Sequence, residues 1–364
     1  MNSVIVSFCI PVYNNAEAAA KIVKGLLSLN DSRFEVVVSD DASTDDTQKM
    51  LSSIHDSRFR YYRNEKNLGA HKNWEHSLEL GKGEWLYLVM GRDRIHSEKI
   101  PRLIELLEYS RENGITYLKD GYSNAGREGI RIYSGIDAMI KFIIRVHPTG
   151  DIYNGTIFRN IPNRTIYFGI SDMYPENHIR HNLLLQGKGA AIMSGVHIGK
   201  EEYIIDFAAV KSGVDKNHNV FDTYFAPRRT TIQNLEHMDI MDADSSIFSR
   251  KELDRYFRSN FNTTLHCVSI LWQGKCADYS WMAHYGHNVR KVGIIEITSN
   301  ILRAYRETKS YHQEHGTYTP VRERIMKVYT AKWLVYSIFR TGIRRTCEFL
   351  GFWKFMRAVK KYAS

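Results

Sequence analysis

Long apolar runs are missing from this chain. No stretch of its 364 residues approaches the roughly 18 uninterrupted apolar residues that a membrane-spanning helix needs. Secretory-signal features are missing as well. Val4 to Val12 is apolar, but it is short, lacks a basic leader and is interrupted by Pro11. The chain is therefore expected to be made and kept in the cytoplasm. Cysteine is scarce: Cys9, Cys267, Cys276 and Cys347 match no zinc or redox spacing. That excludes a disulfide scaffold or a zinc ribbon and leaves free thiols in a reducing compartment. The Asn-X-Thr sequons at Asn154, Asn163 and Asn262 then carry no weight. No G-x-G-x-x-G follows the first apolar segment, so the dinucleotide fingerprint of nicotinamide and flavin enzymes is absent.

What is present is a globular composition, 43% hydrophobic and 25% charged, at a length that allows two or three units. The net charge of +10 is unevenly placed. Between Pro320 and Ser364 eleven Lys and Arg face two Glu, so the tail carries +9 and the remaining chain is nearly neutral.

Val4 to Val12 reads as a strand buried on both faces. Residues 16–29 have helical spacing, with Ala19, Ile22, Val23, Leu26 and Leu27 on one face. Phe34 to Val38 reads as a strand, Ser43 to Asp46 as a turn and cap, and Thr47 to Ile54 as a helix. Phe59 to Arg63 is a strand and Lys72 to Leu80 a helix closed by Gly81-Lys82-Gly83. Glu84 to Met90 is a buried strand, and Ser97 to Glu112 is a helix. This alternation implies βαβ crossovers and a mostly parallel sheet. Further on, residues 135–145 and 176–187 read as helices, 189–198 as a strand, and 212–219 and 226–231 as loops. Residues 250–312 and 320–362 read mainly as helix.

Three strands end in polar residues: Pro11-Val12-Tyr13-Asn14, Asp40-Asp41 and Gly91-Arg92-Asp93-Arg94. In an open α/β sheet ligands bind beyond such ends. Carboxylates, a tyrosine and arginines converging there suit a nucleotide diphosphate, with or without a metal. The segments VSFCIPVYNNAEAA, FEVVVSDDASTDDTQKML and RYYRNEKNLGAHKNWEHSLELGKGEWLYLVM, followed by GRDR, resemble the nucleotide-sugar half of family-2 glycosyltransferases, of the kind found in bacterial capsule and O-antigen synthesis. The resemblance implies the GT-A fold, a Rossmann-like, mostly parallel α/β sheet flanked by helices, here with a helical C-terminal extension. It divides the chain into a nucleotide-sugar half (1–110), an acceptor half (111–245), a helical region (246–318) and basic aromatic helices (319–364).

The resemblance also implies roles. Pro11, Tyr13 and Asn14 sit where the nucleobase and ribose are held. One of Asp40 and Asp41 accepts the uracil N3–H. Arg63 and Lys72 lie in a segment that closes over the nucleotide. At 91–94 the chain departs from the family's acidic cluster. Asp93 is retained as the metal ligand for Mg²⁺ or Mn²⁺, flanked by Arg92 and Arg94, whose guanidinium forks suit phosphate. Metal binding weaker than usual is expected. The general base belongs downstream. Glu176 is the first candidate, with Asp172 and Asp151 as alternatives, and His147 lines an acceptor loop.

The tail interleaves Lys and Arg with Trp333, Tyr336, Phe339, Phe349, Phe352, Trp353 and Phe355. That pattern suits the inner surface of the cell membrane and an acceptor carried on lipid, and it lacks base-reading motifs for nucleic acid. The expectation is an inverting transferase using a UDP-sugar to extend a lipid-linked or polysaccharide glycan; a homo-oligomer stays open. The rivals are a catalytically degenerate sugar-nucleotide-binding protein and a nucleotidyltransferase. Asn14-Asn15-Ala16-Glu17 stands where the latter has a glycine-rich basic loop.

Overall fold

The computed structural model describes residues 4–90, 94–121, 125, 127–144, 155–161, 176–198, 227–243, 247–271 and 292–349. Two compact units divide the chain, Met1–Val214 and Asp215–Ser364.

In the first unit, β1 (Val6–Val12) is buried at every position. It leads through α1 (Ala16–Leu27) to β2 (Phe34–Asp40), also buried throughout. Then follow α2 (Thr47–Ser52), β3 (Phe59–Arg63), α3 (Ala70–Glu79) and β4 (Trp85–Leu88). The short β5 (Arg94–Ile95) precedes a 3₁₀ turn and α4 (Ile100–Glu112). β6 (Ile115–Asp120), β7 (Ile130–Tyr133), α5 (Gly135–Met139) with a π turn over Ile140–Ile144, and β8 (Thr156–Arg159) come next. α6 (Glu176–Gln186), β9 (Lys188–Ile192) and β10 (His197–Ile198) are the last described elements of this unit.

Eight strands form one sheet in the order β3-β2-β1-β4-β8-β6-β9-β7. The β3–β4 half is parallel throughout, as the alternating pattern predicts. The other half is mixed: β8 runs antiparallel to both β4 and β6, and β7 antiparallel to β9. The βαβ alternation ends after β4, and the antiparallel pairs are confined to this half of a mostly parallel sheet. The two-residue strands β5 and β10 pair separately as an antiparallel ribbon. Val6, Phe8, Ile10, Val36, Val38, Trp85 and Tyr87 meet α1 and α4 residues in one apolar core. Each such side chain contributes roughly 1.5–3 kcal/mol on burial.

The second unit is helical: α7 (Pro227–Ala243), α8 (Arg250–His266) with a π turn over Cys267–Leu271, α9 (Ile294–Glu314) and α10 (Pro320–Phe349). Ser249 and Glu252 close a reciprocal capping box at the start of α8. α7 packs on α8 and α9, and α10 packs on the same two helices. Residues 227–231, expected in a loop, belong to α7, which opens on Pro227. Proline suits the first helical position because its missing N–H has no partner there anyway. Since α7 packs with the later helices, the contact boundary falls at 214/215 and not near 245.

Candidate active site

The parallel half delivers its C-terminal strand ends to one edge. At the end of β1, Tyr13 is 46% exposed, and Asn14 takes a left-handed φ of 46°. Asn is among the residues that tolerate that region. The turn is clipped to the loop after β2. Asn14 N donates to Ser43 Oγ at 2.9 Å, and Thr44 N donates to Asn14 Oδ1 at 2.7 Å. Asp45, expected as part of the cap, accepts from Thr47 N at 3.0 Å and from Ala16 N at 3.2 Å, holding the starts of α1 and α2 together. Tyr13 is thereby presented to solvent from a fixed backbone.

Asp40 and Asp41, adjacent in sequence, serve different parts of this edge. Asp40 is fully buried and accepts from Ser43 N at 2.9 Å, from the Tyr61 hydroxyl at 2.5 Å and from Arg63 Nη1 at 2.8 Å. Burial, reinforced by the hydrogen bond to Asp40, pushes the Tyr61 phenol well above its ordinary range. Tyr61 therefore stays a neutral donor. Asp41 is 2% exposed and accepts from Asn64 Nδ2 at 3.0 Å, Leu68 N at 2.7 Å and Gly69 N at 3.0 Å. Gly69 has φ 85°, which a side chain would strain. Asp41 thus anchors the loop that carries Asn67, Gly69 and Lys72, the last exposed on α3.

Behind the pair lies a polar network that sequence inspection missed. Asn73 Oδ1 accepts from Ser39 Oγ at 2.6 Å and from Asn64 Nδ2 at 3.1 Å, and Asn73 Nδ2 donates to Ser39 O at 3.0 Å. His76 Nδ1 lies 2.9 Å from Asn64 Oδ1 and 3.2 Å from Ser39 Oγ. Asn73 and His76 stand three apart on the inner face of α3. Asn73, His76 and Ser77 at helical spacing on one side of α3 were the signal that could have found them.

Past β4, a further carboxylate reaches the same edge. Asp120, at the end of β6, is buried. It accepts from the Tyr87 hydroxyl at 2.9 Å, the Ser194 hydroxyl at 2.5 Å and Ser194 N at 2.9 Å. Gly155 packs so closely that a Cβ there would lie 2.5 Å from Asp120 O, at φ +69°. Asp120 fixes the strand ends of the mixed half as Asp41 fixes the loop of the parallel half.

Of the other expected site residues, Pro11 pairs with Ser39 inside the sheet. Arg94 sits in the β5–β10 ribbon, opposite Ile198. Glu176 opens α6. That helix is held by Arg180, fully buried, which donates to Phe142 O at 3.2 Å and lies 5.6 Å over the Tyr117 ring. Arg92, Asp93, His147, Asp151 and Asp172 lie outside the described residues. Among the described residues no three His, Cys, Asp or Glu side chains come together as a metal site.

A sequence profile described as Glycosyl transferase family 2 matches residues 7–181. The chain is 24% identical over 250 residues to the succinoglycan biosynthesis protein ExoO of Rhizobium meliloti (strain 1021), covering 68% of each. It is 25% identical over 224 residues to the UDP-Glc:alpha-D-GlcNAc-diphosphoundecaprenol beta-1,3-glucosyltransferase WfaP of Escherichia coli, covering 61% of this chain and 76% of that protein. A 34% identical stretch of 91 residues spans only 28% of an uncharacterized protein of Mycobacterium tuberculosis (strain CDC 1551 / Oshkosh) and 25% of this chain. Among solved structures, S. aureus TarS 1-349 superposes with a TM-score of 0.53 at 14% identity, covering 90% of this chain and 92% of that one. Its complex with UDP-GlcNAc superposes with a TM-score of 0.52 at 15% identity, covering the same shares of both. At such identities the likeness is one of fold.

Proposed function

From the match of residues 7–181 to the Glycosyl transferase family 2 profile, we propose that the chain is a transferase of that family whose strand-end site takes a UDP-sugar and passes the sugar, with inversion, to a lipid-linked or polysaccharide glycan. The observation that carries the reading is the pairing of exposed Tyr13 with the Asp40–Tyr61–Arg63 cluster on adjacent strand ends. Tyr13 offers a flat ring for a base. Arg63, held by one nitrogen on Asp40, keeps 32% of its side chain exposed and presents charge toward a diphosphate. The donor class is supported by the UDP-GlcNAc complex of TarS, and donor and acceptor class together by the printed activity of WfaP.

Inverting transfer is a single displacement. The acceptor oxygen attacks the anomeric carbon, its proton passes to a base, and the bond to the diphosphate breaks with the electron pair leaving on the diphosphate. Glu176 is the base in this reading, with Asp172 the nearest alternative. Arg92 and Arg94 steady the leaving diphosphate. Asp93 would hold a Mg²⁺ or Mn²⁺ ion. Such ions accept one carboxylate plus phosphate oxygens. When bound, the ion supplies positive charge to the departing diphosphate.

A lipid-linked acceptor places the enzyme at the inner face of the cell membrane. No helix among the described residues is long and apolar enough to cross one, so attachment would be peripheral. Calorimetric titration with UDP, with Mn²⁺ and then with chelator, tests the donor. Micromolar binding, about −8 kcal/mol, is expected. Binding that survives chelation would move the diphosphate role to the arginines. Absence of binding to UDP, GDP, dTDP and CMP alike would leave the donor reading without support. In the transferase, Asp93→Ala abolishes turnover.

A further inference from the structure

The last described helix carries an apolar stripe on its solvent side as well as apolar residues on its packed side. Its packed face, against α8 and α9, carries Arg322, Thr330, Ser337 and Thr341 together with Ile325, Met326 and Trp333. The hydroxyls of Thr330, Ser337 and Thr341 are buried there without a hydrogen-bond partner. Its solvent face carries Val321, Val328, Val335, Phe339 and Ile343, exposed by 50%, 57%, 69%, 68% and 49%. The steps of seven, seven, four and four keep these five side chains on one stripe about 33 Å long. A helix at the surface of a water-soluble protein places its apolar stripe inward. Here an apolar stripe also faces out, while small polar groups share the inward face with Ile325, Met326 and Trp333.

The charge around the stripe is of one sign. Arg324, Lys327, Lys332 and Arg340 are exposed along it. The single acid between residues 320 and 343, Glu323, is held by Lys327 at 2.9 Å and Lys309 at 4.0 Å. Trp333, which its place in the basic aromatic tail had assigned to the outer surface, is packed instead, donating from Nε1 to Asn262 Oδ1 at 3.1 Å. Two copies of the chain laid stripe to stripe would bring these cations together, whereas anionic headgroups would neutralise them.

We infer that the outward face of α10, from Val321 to Ile343, docks the protein on an anionic lipid surface, with the apolar stripe entering the acyl boundary and the flanking cations meeting the headgroups. The inference deepens the lipid-linked-acceptor reading and rests on it for its purpose, but not for its geometry. The helix lies in the plane of the surface, which fits amphipathic interfacial helices.

Co-sedimentation of the full chain with vesicles tests it. Binding is expected to vesicles of phosphatidylcholine with phosphatidylglycerol, weakly to phosphatidylcholine alone, and to fall as salt is raised. The double variant V335E/F339E should lower binding roughly tenfold or more, because it places charge in the apolar stripe. K332E/R340E should remove the preference for anionic lipid. Should V335E/F339E lower the melting temperature, Val328→Glu, earlier on the helix, reads the same face. UDP affinity is measured on every variant and should not move. Failure to bind either vesicle, or binding that V335E/F339E leaves intact, overturns the inference. So does a dimer in sedimentation that V335E/F339E dissolves while lipid is ignored, which would make a second copy the occupant. Vesicle binding without UDP binding would sink the donor reading and leave this one standing.

Discussion

Two of the chain's Arg–Asp ion pairs, one in each unit, stand in different settings. In the first unit Arg63 Nη1 meets Asp40 at 2.8 Å. In the second unit Arg322 meets Asp242 through both terminal nitrogens, at 2.7 and 2.6 Å. Arg322 is fully buried, 5.1 Å over the Phe257 ring, with His312 Nδ1 3.4 Å from its Nη1. Arg63 commits one nitrogen and leaves a third of its side chain to solvent. The difference separates a structural pair from a binding one. A guanidinium closed on all sides joins helices, and one anchored by its carboxylate but open outward is ready for an anion.

The largest expected effect breaks the closed pair. Asp242→Ala takes both hydrogen-bonded carboxylate oxygens from buried Arg322, leaving it the Asp254 carboxylate at 3.7 Å from its Nε, and should cost about 3 kcal/mol in urea unfolding. The apolar triple replacement D242L/R322M/D254L, which removes Asp254 together with its partner, should recover most of that loss. A loss below about 1 kcal/mol for Asp242→Ala would mean that Asp254 or water takes over Arg322, and the two pairs would then differ less than their burial implies.

Next comes pH. Burial and the Arg322 cation push His312 down to about 4, with Asp242 opposing. The native imidazole is therefore neutral while the unfolded one titrates near 6.5. Its stability contribution is full above the unfolded value and is lost as pH falls toward 4. Between pH 7.5 and 5 the second unit should lose about 2 kcal/mol. His312→Asn should flatten that slope, and an unchanged slope would assign the acid sensitivity elsewhere.

The open pair gives a smaller effect of another kind. Arg63→Lys keeps the charge but loses the planar fork, so UDP affinity should fall roughly tenfold, about 1.4 kcal/mol, with little change in unfolding midpoint. A large stability loss with unchanged UDP binding would make Arg63 structural, like Arg322.

Glu75, on α3 beside the site, carries the opposite pH sign. Burial, then the Glu79 charge, raises it to about 7. Its contribution is present below the unfolded value of 4.5 and lost as pH rises through 7. Glu75→Gln should therefore stabilise the protein at pH 8 by about 1 kcal/mol, partial exposure reducing the effect, and leave pH 4 unchanged.

The smallest expected change lies between Asp41 and Ser43. Ala42 holds a left-handed φ of 57°. Ala42→Gly relieves the Cβ clash at some cost in unfolded-state entropy, for a net gain of about 0.5–1 kcal/mol. A destabilised Ala42→Gly would show that the turn needs stiffness more than relief.

Much of the parallel half was legible. Phe59 to Arg63 is a strand with the expected bounds, and β2 extends the expected strand by two residues to include Ser39 and Asp40. Local signals suffice there: apolar runs, cap residues and the Gly81-Lys82-Gly83 break. The mixed half was less legible, because β8 enters antiparallel and nothing in a four-residue segment records direction. Trp333 misled for a related reason. Composition reports that aromatics and cations share a helix, but only packing says which of them face out.

The amino-acid sequence by itself determined the alternation of strands and helices, the gathering of polar residues at three strand ends and the basic tail. These follow from period and turn chemistry within a few residues. Only the tertiary structure decided that Asp40 holds Tyr61 and Arg63 while its neighbour Asp41 holds the loop at Leu68 and Gly69. Successive residues at a strand end point opposite ways, and their partners lie more than twenty positions away, so strand register selects them.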